Sequence, residues 1–442
     1  MKFIHKAFLS IAFILFIVYG NSQTAQRKAF MGLYGSAVEG GIRIDSLVTT
    51  ATLHAFGLRK DDVLTKMNGK NIRTMQEYQS IATTIRTHDE LSIEYLRKGK
   101  QKKVTGKALM KPYETSGIAD IIYDWVPFRS GRLRTMTYRP KNKDHVPCIL
   151  LIPGYNCGSI ENFTTSYNGK LINEWIKAGY AVVTIEKSGV GDSYRCTPCV
   201  EADMQTDIES FDAGYNYMEQ LSFVNKQQLF IWGHSMGGVI APEIAKNHKP
   251  AGIIAFATVF RPWNEFLPEM HRVQSPLDGK TYIETEAFVR EIEKVYHEFF
   301  VNKLSPQQIH AIPAYRAMAE SDLEYKEGNT TMWGRHWKFW QQIDSLNLAD
   351  SWSKVQCPVL SIFGGADYIA CSELEHFLIT ETVNTAHPGN GTHITIPDID
   401  HIMVRNKDWK SSHKNIANAE YRNANFHYGI AEETVKWMDE VR

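Results

Sequence analysis

The pentapeptide Gly233-His234-Ser235-Met236-Gly237 constrains the fold of this chain more than any other segment. It follows a short apolar run, Gln228 to Trp232, and precedes a helix-like run from Gly238 to Ala245. A glycine has no Cβ atom, so glycines on both sides of a serine let a strand and a helix pack closely around a sharp turn. This order of strand, G-x-S-x-G and helix predicts that the Ser235 hydroxyl stands above a sheet edge as a candidate nucleophile.

Two later strand ends offer partners for this serine. A serine hydroxyl needs a base to become a nucleophile, and the base needs an orienting carboxylate. A buried-strand pattern from Pro358 to Phe363 leads into a tight turn that ends at Asp367. A further strand pattern, Thr392 to Ile396, leads to His401. Functional groups gather at the carboxyl ends of parallel strands, so we expect Asp367 to be the acid and His401 the base.

Other side chains compete for these roles. The chain has 16 histidines, so a histidine alone is weak evidence; His401 is preferred because a strand end delivers it to the edge where Ser235 is expected. Asp398 and Asp400 are also nearby carboxylates. Because they are so close in sequence to His401, they suit turn or capping roles better than the role of the acid.

A reaction through a tetrahedral oxyanion also requires two preorganised hydrogen-bond donors. The backbone N–H of Met236, directly after the candidate nucleophile, is expected to be one. The strand pattern from Val146 to Ile152 runs into the loop Pro153-Gly154-Tyr155-Asn156. We expect the Tyr155 N–H from this loop to be the second donor.

Residues from about 120 to 442 resemble the serine α/β-hydrolases of the esterase, lipase and serine-aminopeptidase group. Five features in order carry the resemblance: the Pro153-Gly154 loop, the run from Glu186 to Ser193, the G-x-S-x-G turn, the Asp367 turn and His401. The resemblance implies an α/β-hydrolase sheet and an acyl-enzyme route in which Ser235 attacks, His401 moves the proton and water releases the acid. The sequence contains no metal-binding or phosphate-cradling motif, so no metal and no cofactor are expected.

The segment from about residue 28 to residue 110 predicts a separate, small, mostly-β unit. A helix is expected from about Thr74 to Ile85, and strands are expected over 91–97 and 103–108. The basic stretch Arg97 to Lys103 between those strands is interpreted as a solvated hairpin turn. Gly57-Leu58-Arg59-Lys60-Asp61, followed by the tight-turn dipeptide Asn68-Gly69, resembles a PDZ domain.

The PDZ resemblance implies a groove that takes an extended peptide by strand addition. The loop that would capture the peptide carboxylate contains Gly32 and Leu33. The alternative is that this unit binds no peptide and only packs on the hydrolase.

About 100 residues separate the strand pattern Gly252 to Ala257 from the one that begins at Pro358, far more than an ordinary connection. We expect a helical cap insertion at about 261–352, with helices over 285–300, 305–319 and 336–346. Its aromatic residues are interpreted mainly as core and otherwise as the lining of an acyl or aryl pocket. They are Phe260, Trp263, Phe266, Trp333, Trp337, Phe339 and Trp340. Among them, Arg335 and His336 leave open a polar or anionic group on the substrate.

The first 22 residues are typical of a secretory signal peptide. Lys2 and Lys6 precede an apolar run from Ala7 to Tyr19, which is short compared with the roughly 20 residues of a bilayer span. Cleavage near Ser22 would give a secreted or periplasmic enzyme with no stable membrane span. An uncleaved membrane anchor is the alternative.

The charge balance and the cysteine content indicate which binding partners and which cellular compartment to expect. Lysine plus arginine and aspartate plus glutamate number 49 each, so no global field predicts a nucleic-acid partner. Six cysteines in an exported chain admit disulfides. Cys157 and Cys199 lie in loops at the same sheet edge, which predicts a disulfide that braces the oxyanion loop. The expected buried thiols are those of Cys148, Cys357 and Cys371.

Three functions fit these patterns. The first is hydrolysis of a small or medium carboxylic ester through Ser235, Asp367 and His401. The second is an aminopeptidase-like serine peptidase, whose acidic site for a substrate amino terminus would come from Glu284, Glu286, Glu291 and Glu293. The third is a non-catalytic protein that binds peptides through the PDZ-like unit.

Overall fold

The computed structural model of the chain describes residues 27–164 and 166–442. The predicted signal peptide, residues 1–22, lies outside the described residues. The chain divides into two compact units, one ending at Lys111 and the other spanning Pro112–Arg442. Within the described ranges, no helix combines the length and apolarity that crossing a membrane requires.

The N-terminal unit is mostly β, as the sequence predicts. Its antiparallel sheet has the order β1-β2-β3-β5-β6, with β4 paired to β3, so β1 is an edge strand. Apolar side chains such as Ile42, Leu64 and Ile93 are fully buried in its core. The elements are β1 (Leu33–Val38), β2 (Gly41–Leu47), α1 (Thr52–Ala55), β3 (Val63–Met67), β4 (Lys70–Asn71), α2 (Met75–Ala82), β5 (Glu90–Arg97) and β6 (Lys100–Lys107).

The local sequence explains where α2 begins, but the interpretation of the basic stretch Arg97 to Lys103 as a turn is wrong. Thr74 caps α2 and forms a capping box with Glu77, which satisfies backbone donors at the helix start. The basic stretch is not mainly a turn, because only Lys98 and Gly99 lie between β5 and β6 and the following lysines belong to strand β6. The first four residues of β6, Lys100 to Lys103, are all exposed, and β6 is an edge strand, where charged side chains are common.

The described residues of the C-terminal unit form ten strands. They are β7 (Ala119–Phe128), β8 (Gly131–Pro140), β9 (Val146–Ile152), β10 (Ala181–Ile185), β11 (Val224–His234), β12 (Gly252–Phe256), β13 (Thr331–Met332), β14 (Arg335–His336), β15 (Val359–Gly364) and β16 (Gly391–Ile396). Eight of them form one sheet in the order β16-β15-β12-β11-β9-β10-β8-β7, and β13 and β14 form a separate hairpin. In this sheet the neighbouring strands from β16 to β10 pair in parallel, whereas β8 pairs antiparallel with β10 and β7 pairs antiparallel with β8.

Helices cover both faces of this sheet, which makes the unit an α/β fold. Along β9, Cys148, Leu150 and Ile152 belong to one apolar cluster, and Ile149 and Leu151 to another. Successive strand residues point to opposite faces, so β9 is buried on both sides. The helices are α3 (Tyr167–Ala178), α4 (Met204–Gln220), α5 (Met236–Ala245), α6 (Trp263–Leu277), α7 (Tyr282–Tyr296), α8 (Pro306–His310), α9 (Arg316–Ser321), α10 (Trp337–Ser345), α11 (Leu348–Ser353), α12 (Glu373–Ala386), α13 (Trp409–Asn415), α14 (Ala419–Ala424) and α15 (Gly429–Val441).

The segment between β12 and β15 is largely helical and contains α6 to α11 with the β13–β14 hairpin. The helix expected over 305–319 is wrong as a single element, since α8 ends at His310 and α9 begins at Arg316. Pro313 lies between them, and a proline has no N–H to continue a helical ladder. The helices expected over 285–300 and 336–346 correspond to α7, with the π-helical turn His297–Val301, and to α10.

Candidate active site

Ser235 occupies a tight turn between β11 and α5. Its backbone has φ 55° and ψ −121°, a strained conformation for a residue with a side chain. A Cβ atom on Gly237 would lie 2.1 Å from the Ile152 carbonyl oxygen, and one on Gly233 would lie 2.5 Å from the Gly237 carbonyl oxygen. Both glycines are therefore required by close backbone approach, for the reason that the sequence suggested.

The structure brings Ser235, His401 and Asp367 into one hydrogen-bonded row. His401 Nε2 lies 3.1 Å from Ser235 Oγ, and His401 Nδ1 lies 2.9 Å from Asp367 Oδ2. Asp367 follows β15 and His401 follows β16, so parallel strands deliver both side chains to the same sheet edge. In the neutral imidazole, Nδ1–H donates to the carboxylate and Nε2 accepts from the hydroxyl, which is the arrangement a general base requires.

Asp367 and His401 each shift the pKa of the other toward its charged form. Burial by itself would raise the pKa of Asp367, but the charge and hydrogen bond of His401 and the backbone N–H groups of Ile369 and Ala370 hold that pKa below its usual range. Burial would likewise lower the pKa of His401, but Asp367 and Asp400 outweigh it and raise that pKa. An imidazolium formed during a reaction is thereby stabilised next to Ser235.

His234 is a neighbour that the sequence analysis did not single out. Its Nε2 lies 2.7 Å from the His401 carbonyl oxygen, and its ring is buried between Phe256 and His401. Burial is the main reason that its pKa falls to about 3. His234 is therefore neutral, and its Nε2–H donates to the His401 backbone. The signal available in the sequence was a titratable side chain inside the turn itself.

The two predicted oxyanion donors lie beside Ser235. Met236 begins α5 directly after the serine, and a Cβ atom on Gly154 would lie 3.5 Å from the Ser235 Cβ atom. Among the described residues, neither the Met236 N–H nor the Tyr155 N–H donates to a protein acceptor. Both N–H groups are thus available to a ligand oxygen.

Cys157 and Cys199 form a disulfide, the pair that the sequence predicted. It connects the end of the Tyr155 loop to the 3₁₀ turn Cys199–Glu201. Cys148 and Cys371 are buried thiols, whereas Cys357 is only half-buried.

The other side chains that the sequence offered for binding a charged group of the substrate have structural roles instead. Arg335, considered for an anionic substrate group, has no exposed surface and pairs with Asp207. His336 accepts from the Lys338 N–H at the start of α10. None of the four glutamates considered for an amino-terminal site lines the cavity above Ser235: Glu284 caps α7, Glu286 and Glu293 pair with Arg272, and Glu291 pairs with Lys294.

A cavity of about 760 Å³ opens above Ser235 and His401. Four of the aromatic residues that the sequence analysis named in the insertion line it: Trp263, Phe266, Trp333 and Trp340. Phe266 and Trp340 are also buried in the hydrophobic core, as expected, whereas Trp263 and Trp333 are only partly buried against it. Asp322 and Glu324 also line it, and no lysine or arginine does among the described residues. No group of three or more histidine, cysteine, aspartate or glutamate side chains is arranged for a metal ion in the described part of the chain.

Comparisons with known proteins agree with this architecture. The model of the hydrolase family described as serine aminopeptidase, S33, matches residues 158–408, more than half of the 442 residues. No curated protein matches the chain.

Several solved structures are similar to this chain. Est1E from Butyrivibrio proteoclasticus is 14% identical over 72% of this chain and 98% of its own, with a TM-score of 0.43. The monoacylglycerol lipase of Paleococcus ferrophilus is 14% identical over 70% of this chain and 99% of its own, with a TM-score of 0.41. The carboxylesterase EstE1, cloned from a metagenomic library, is 15% identical over 74% of this chain and 91% of its own, with a TM-score of 0.43. By its family match the chain belongs to the S33 serine aminopeptidase family of hydrolases and is a serine hydrolase with the α/β-hydrolase fold.

Proposed function

We propose that the chain is an exported carboxylic-ester hydrolase that works through Ser235, His401 and Asp367. The observation that carries this proposal is the hydrogen-bonded row of these three side chains at the base of an apolar cavity. Two free backbone N–H groups beside the serine complete the set of parts that acyl transfer requires.

The reaction would run in two balanced halves. Ser235 Oγ attacks the ester carbonyl carbon while His401 Nε2 takes the hydroxyl proton, and the N–H groups of Met236 and Tyr155 hold the oxyanion. The tetrahedral intermediate collapses, the C–O bond to the alcohol breaks, and His401 returns the proton to the leaving alcohol. Water then attacks the acyl-enzyme with His401 again acting as base, which releases the acid and restores Ser235.

The cavity lining supports a neutral ester with an aromatic or medium-sized apolar acyl group. Trp263, Trp333 and Trp340 offer flat apolar surfaces to such a group. His271 brings no compensating positive charge, because burial lowers its pKa. A carboxylate on the acyl chain would therefore lie near Asp322, and the described residues that line the cavity include no lysine or arginine to pair with it, which disfavours anionic substrates.

The test is hydrolysis of a panel of p-nitrophenyl esters, with Ser235→Ala as the control. We expect turnover that is lost in the variant, and a higher kcat/KM for phenylpropanoyl esters than for the matched ester that carries a free carboxylate on the acyl chain. If folded protein turned over no ester and also resisted a fluorophosphonate probe, the proposal would be rejected in favour of a non-catalytic protein.

A serine aminopeptidase is the second candidate. Asp322 and Glu324 line the cavity and could hold the ammonium group of a substrate amino terminus. Aminoacyl p-nitroanilides distinguish the two functions, because an amide with a free amino terminus would be cleaved as efficiently as the esters only if this acidic pair binds it. Asp322→Asn would then raise KM for the anilides and leave the esters unaffected.

The N-terminal unit supports a further role in binding an extended peptide. Its strand β1 pairs only with β2 among the described strands, which leaves an edge for strand addition. Gly32, at φ 68°, directly precedes this strand and lies against Ala51. Fluorescence titration with peptides that have a free or an amidated carboxyl terminus tests the role. Tighter binding of the free carboxylate is expected, and no binding of either would reject it.

Export is supported by the first 22 residues of the sequence. Expression in a bacterial host with a cell envelope should yield a mature protein that begins close to residue 23. Mass spectrometry of the periplasmic and cytoplasmic fractions measures this, and a full-length product that stays with the membrane would favour an uncleaved anchor.

A further inference from the structure

Two buried cations hold the loop that carries the second oxyanion donor. Lys187 Nζ donates to the Gly154 carbonyl oxygen at 2.6 Å and to the Asn156 carbonyl oxygen at 3.2 Å. Arg335 Nη1 donates to the carbonyl oxygen between them, that of Tyr155, at 2.8 Å. Three consecutive carbonyl groups of the loop therefore accept from a buried positive charge.

One carboxylate pairs with both cations and leaves the cluster with one net positive charge. Arg335 forms a two-pronged pair with Asp207, with Nη1–Oδ2 at 2.8 Å and Nη2–Oδ1 at 3.0 Å. Lys187 Nζ lies 3.5 Å from the same carboxylate. Arg335 and Asp207 are completely buried and Lys187 is 3% exposed. Buried charges are costly and add little net stability, so a cluster of this kind calls for another explanation.

The peptide geometry supplies that explanation. In a trans peptide, the carbonyl and the N–H of one unit point in opposite directions. The Gly154 carbonyl belongs to the same unit as the Tyr155 N–H, so the bond from Lys187 aims that N–H away from the cluster. A Cβ atom on Gly154 would lie 3.6 Å from Ser235 Oγ, so this peptide unit adjoins the nucleophile.

Arg335 belongs to the insertion, far from this loop in sequence. It follows the two-residue turn Trp333-Gly334, whose residues both have positive φ, at 50° and 77°. This turn type matches the twist of a hairpin and fixes its direction tightly. Trp333 and Gly334 line the cavity, and the next residue enters the buried cluster. The Arg335 guanidinium also stacks on the Phe339 ring at 3.9 Å, so its position is held from both sides.

We propose that Arg335 is a positioning residue that couples the insertion to the oxyanion hole, together with Lys187 and Asp207. The proposal rests on the proposed acyl-transfer function of Ser235. Lys187 orients the peptide unit that carries the Tyr155 N–H, and Arg335 holds the next unit through the Tyr155 carbonyl. Arg335 thereby keeps the loop on both sides of Tyr155 in the orientation that presents this N–H to the oxyanion. A change in the insertion at the Trp333-Gly334 turn would thereby alter the rate of chemistry as well as substrate binding.

The test uses Arg335→Met, which removes the guanidinium and leaves Lys187 and Asp207 as one cation with one anion. The matched control is Arg272→Met, an arginine of α6 in the same insertion whose half-exposed guanidinium pairs with Glu286 away from the cavity lining. The readouts are kcat and KM for an aryl ester and the second-order rate of labelling by a fluorophosphonate, which needs the oxyanion hole but no natural substrate.

Arg335→Met should lower kcat and the labelling rate by about 10- to 100-fold, since complete loss of one oxyanion donor costs about 100- to 1,000-fold. KM should change by less than about threefold, because the guanidinium does not reach the cavity. Arg272→Met should match the wild type in all three quantities. Equal labelling rates for folded Arg335→Met and the wild type would overturn the proposal.

Chemical rescue covers the case in which Arg335→Met does not fold. In Arg335→Ala, millimolar guanidinium chloride should restore labelling, and an equal concentration of sodium chloride should not. Arg335→Lys keeps the charge but loses the two-pronged geometry, and its labelling rate should fall between those of Arg335→Met and the wild type. No rescue in folded Arg335→Ala would overturn the proposal. Wild-type protein that neither labels nor hydrolyses esters would instead overturn the proposed function, and this inference with it.

Discussion

Replacing Gly237 by alanine tests how closely the turn at Ser235 approaches the central strand. The new Cβ atom would lie 2.1 Å from the Ile152 carbonyl oxygen and 2.8 Å from its carbon. The backbone of β9 or α5 must then shift by about 1 Å to reach an ordinary contact. Overpacking of this kind costs about 1–3 kcal/mol.

An opposing effect has to be weighed, because Gly237 lies inside α5. Alanine favours helix formation over glycine by up to about 1 kcal/mol, and less near a helix start. The clash is with backbone rather than with a flexible side chain, so it outweighs the propensity gain. We expect the free energy of unfolding to fall by about 2 kcal/mol, and the melting temperature by about 3 °C for a unit of this size.

Gly117→Ala is the matched control, because nothing lies within 4 Å of a Cβ atom at that position. Its stability should stay within about 0.5 kcal/mol of the wild type. Melting followed by circular dichroism gives the stability, and fluorophosphonate labelling of Ser235 reports on the turn. Gly237→Ala should lose labelling by about tenfold or more, since small displacements of reacting groups are costly. Wild-type melting and labelling in Gly237→Ala would refute the close approach of the turn to β9.

Four further predictions concern the same site. First, kcat/KM for esters should rise with pH through an inflection above about 6.5, because a protonated His401 cannot accept the serine proton and the pKa of His401 is raised. An inflection below about 6 in a pH–rate profile would contradict this prediction. Second, His234→Phe should lower kcat up to about tenfold with little change in KM, since it removes one hydrogen bond to the His401 backbone. Third, Cys157→Ser with Cys199→Ser should lower the free energy of unfolding by about 2–4 kcal/mol in a urea titration, and no change would show that the disulfide adds no stability. Fourth, Trp333→Ala should reduce the ratio of kcat/KM for aryl-acyl over acetyl esters by about fivefold, and an unchanged ratio would place the acyl group elsewhere in the cavity.

Much of the sheet could be predicted because its strands are buried on both faces and are therefore continuously apolar. The run from Val146 to Ile152 reads as a strand without ambiguity and is β9 with the same bounds. The start of the strand before Ser235 was harder to predict. β11 begins at Val224, but polar residues such as Lys226 interrupt the apolar pattern there. Its pairing with β9 shifts register in that stretch, so the polar residues do not follow a strand pattern.

The three residues of the hydrogen-bonded row could be placed because each follows a recognisable strand or turn. Chain order and strand ends then determine which side chains meet, without any knowledge of the packing. The buried cluster of Lys187, Asp207 and Arg335 offered no comparable signal. A charged residue in a sequence is by default solvent-exposed, and these three lie on separate elements that only the folded chain brings together.

The insertion shows why the sequence alone does not decide between an ester and an amide as the substrate. Aromatic residues at helical spacing suit a protein core and a cavity wall equally. Phe339 and Trp340 are both buried, and periodicity could not tell that only Trp340 of the two lines the cavity. Acidic residues raise the same difficulty. The glutamate-rich segment of α7 forms caps and ion pairs, and the acids at the cavity, Asp322 and Glu324, follow α9 with no pattern that marks them. The choice between ester and amide therefore depends on which acids face the cavity, and their positions follow from how the insertion packs rather than from the motif that predicts the nucleophile.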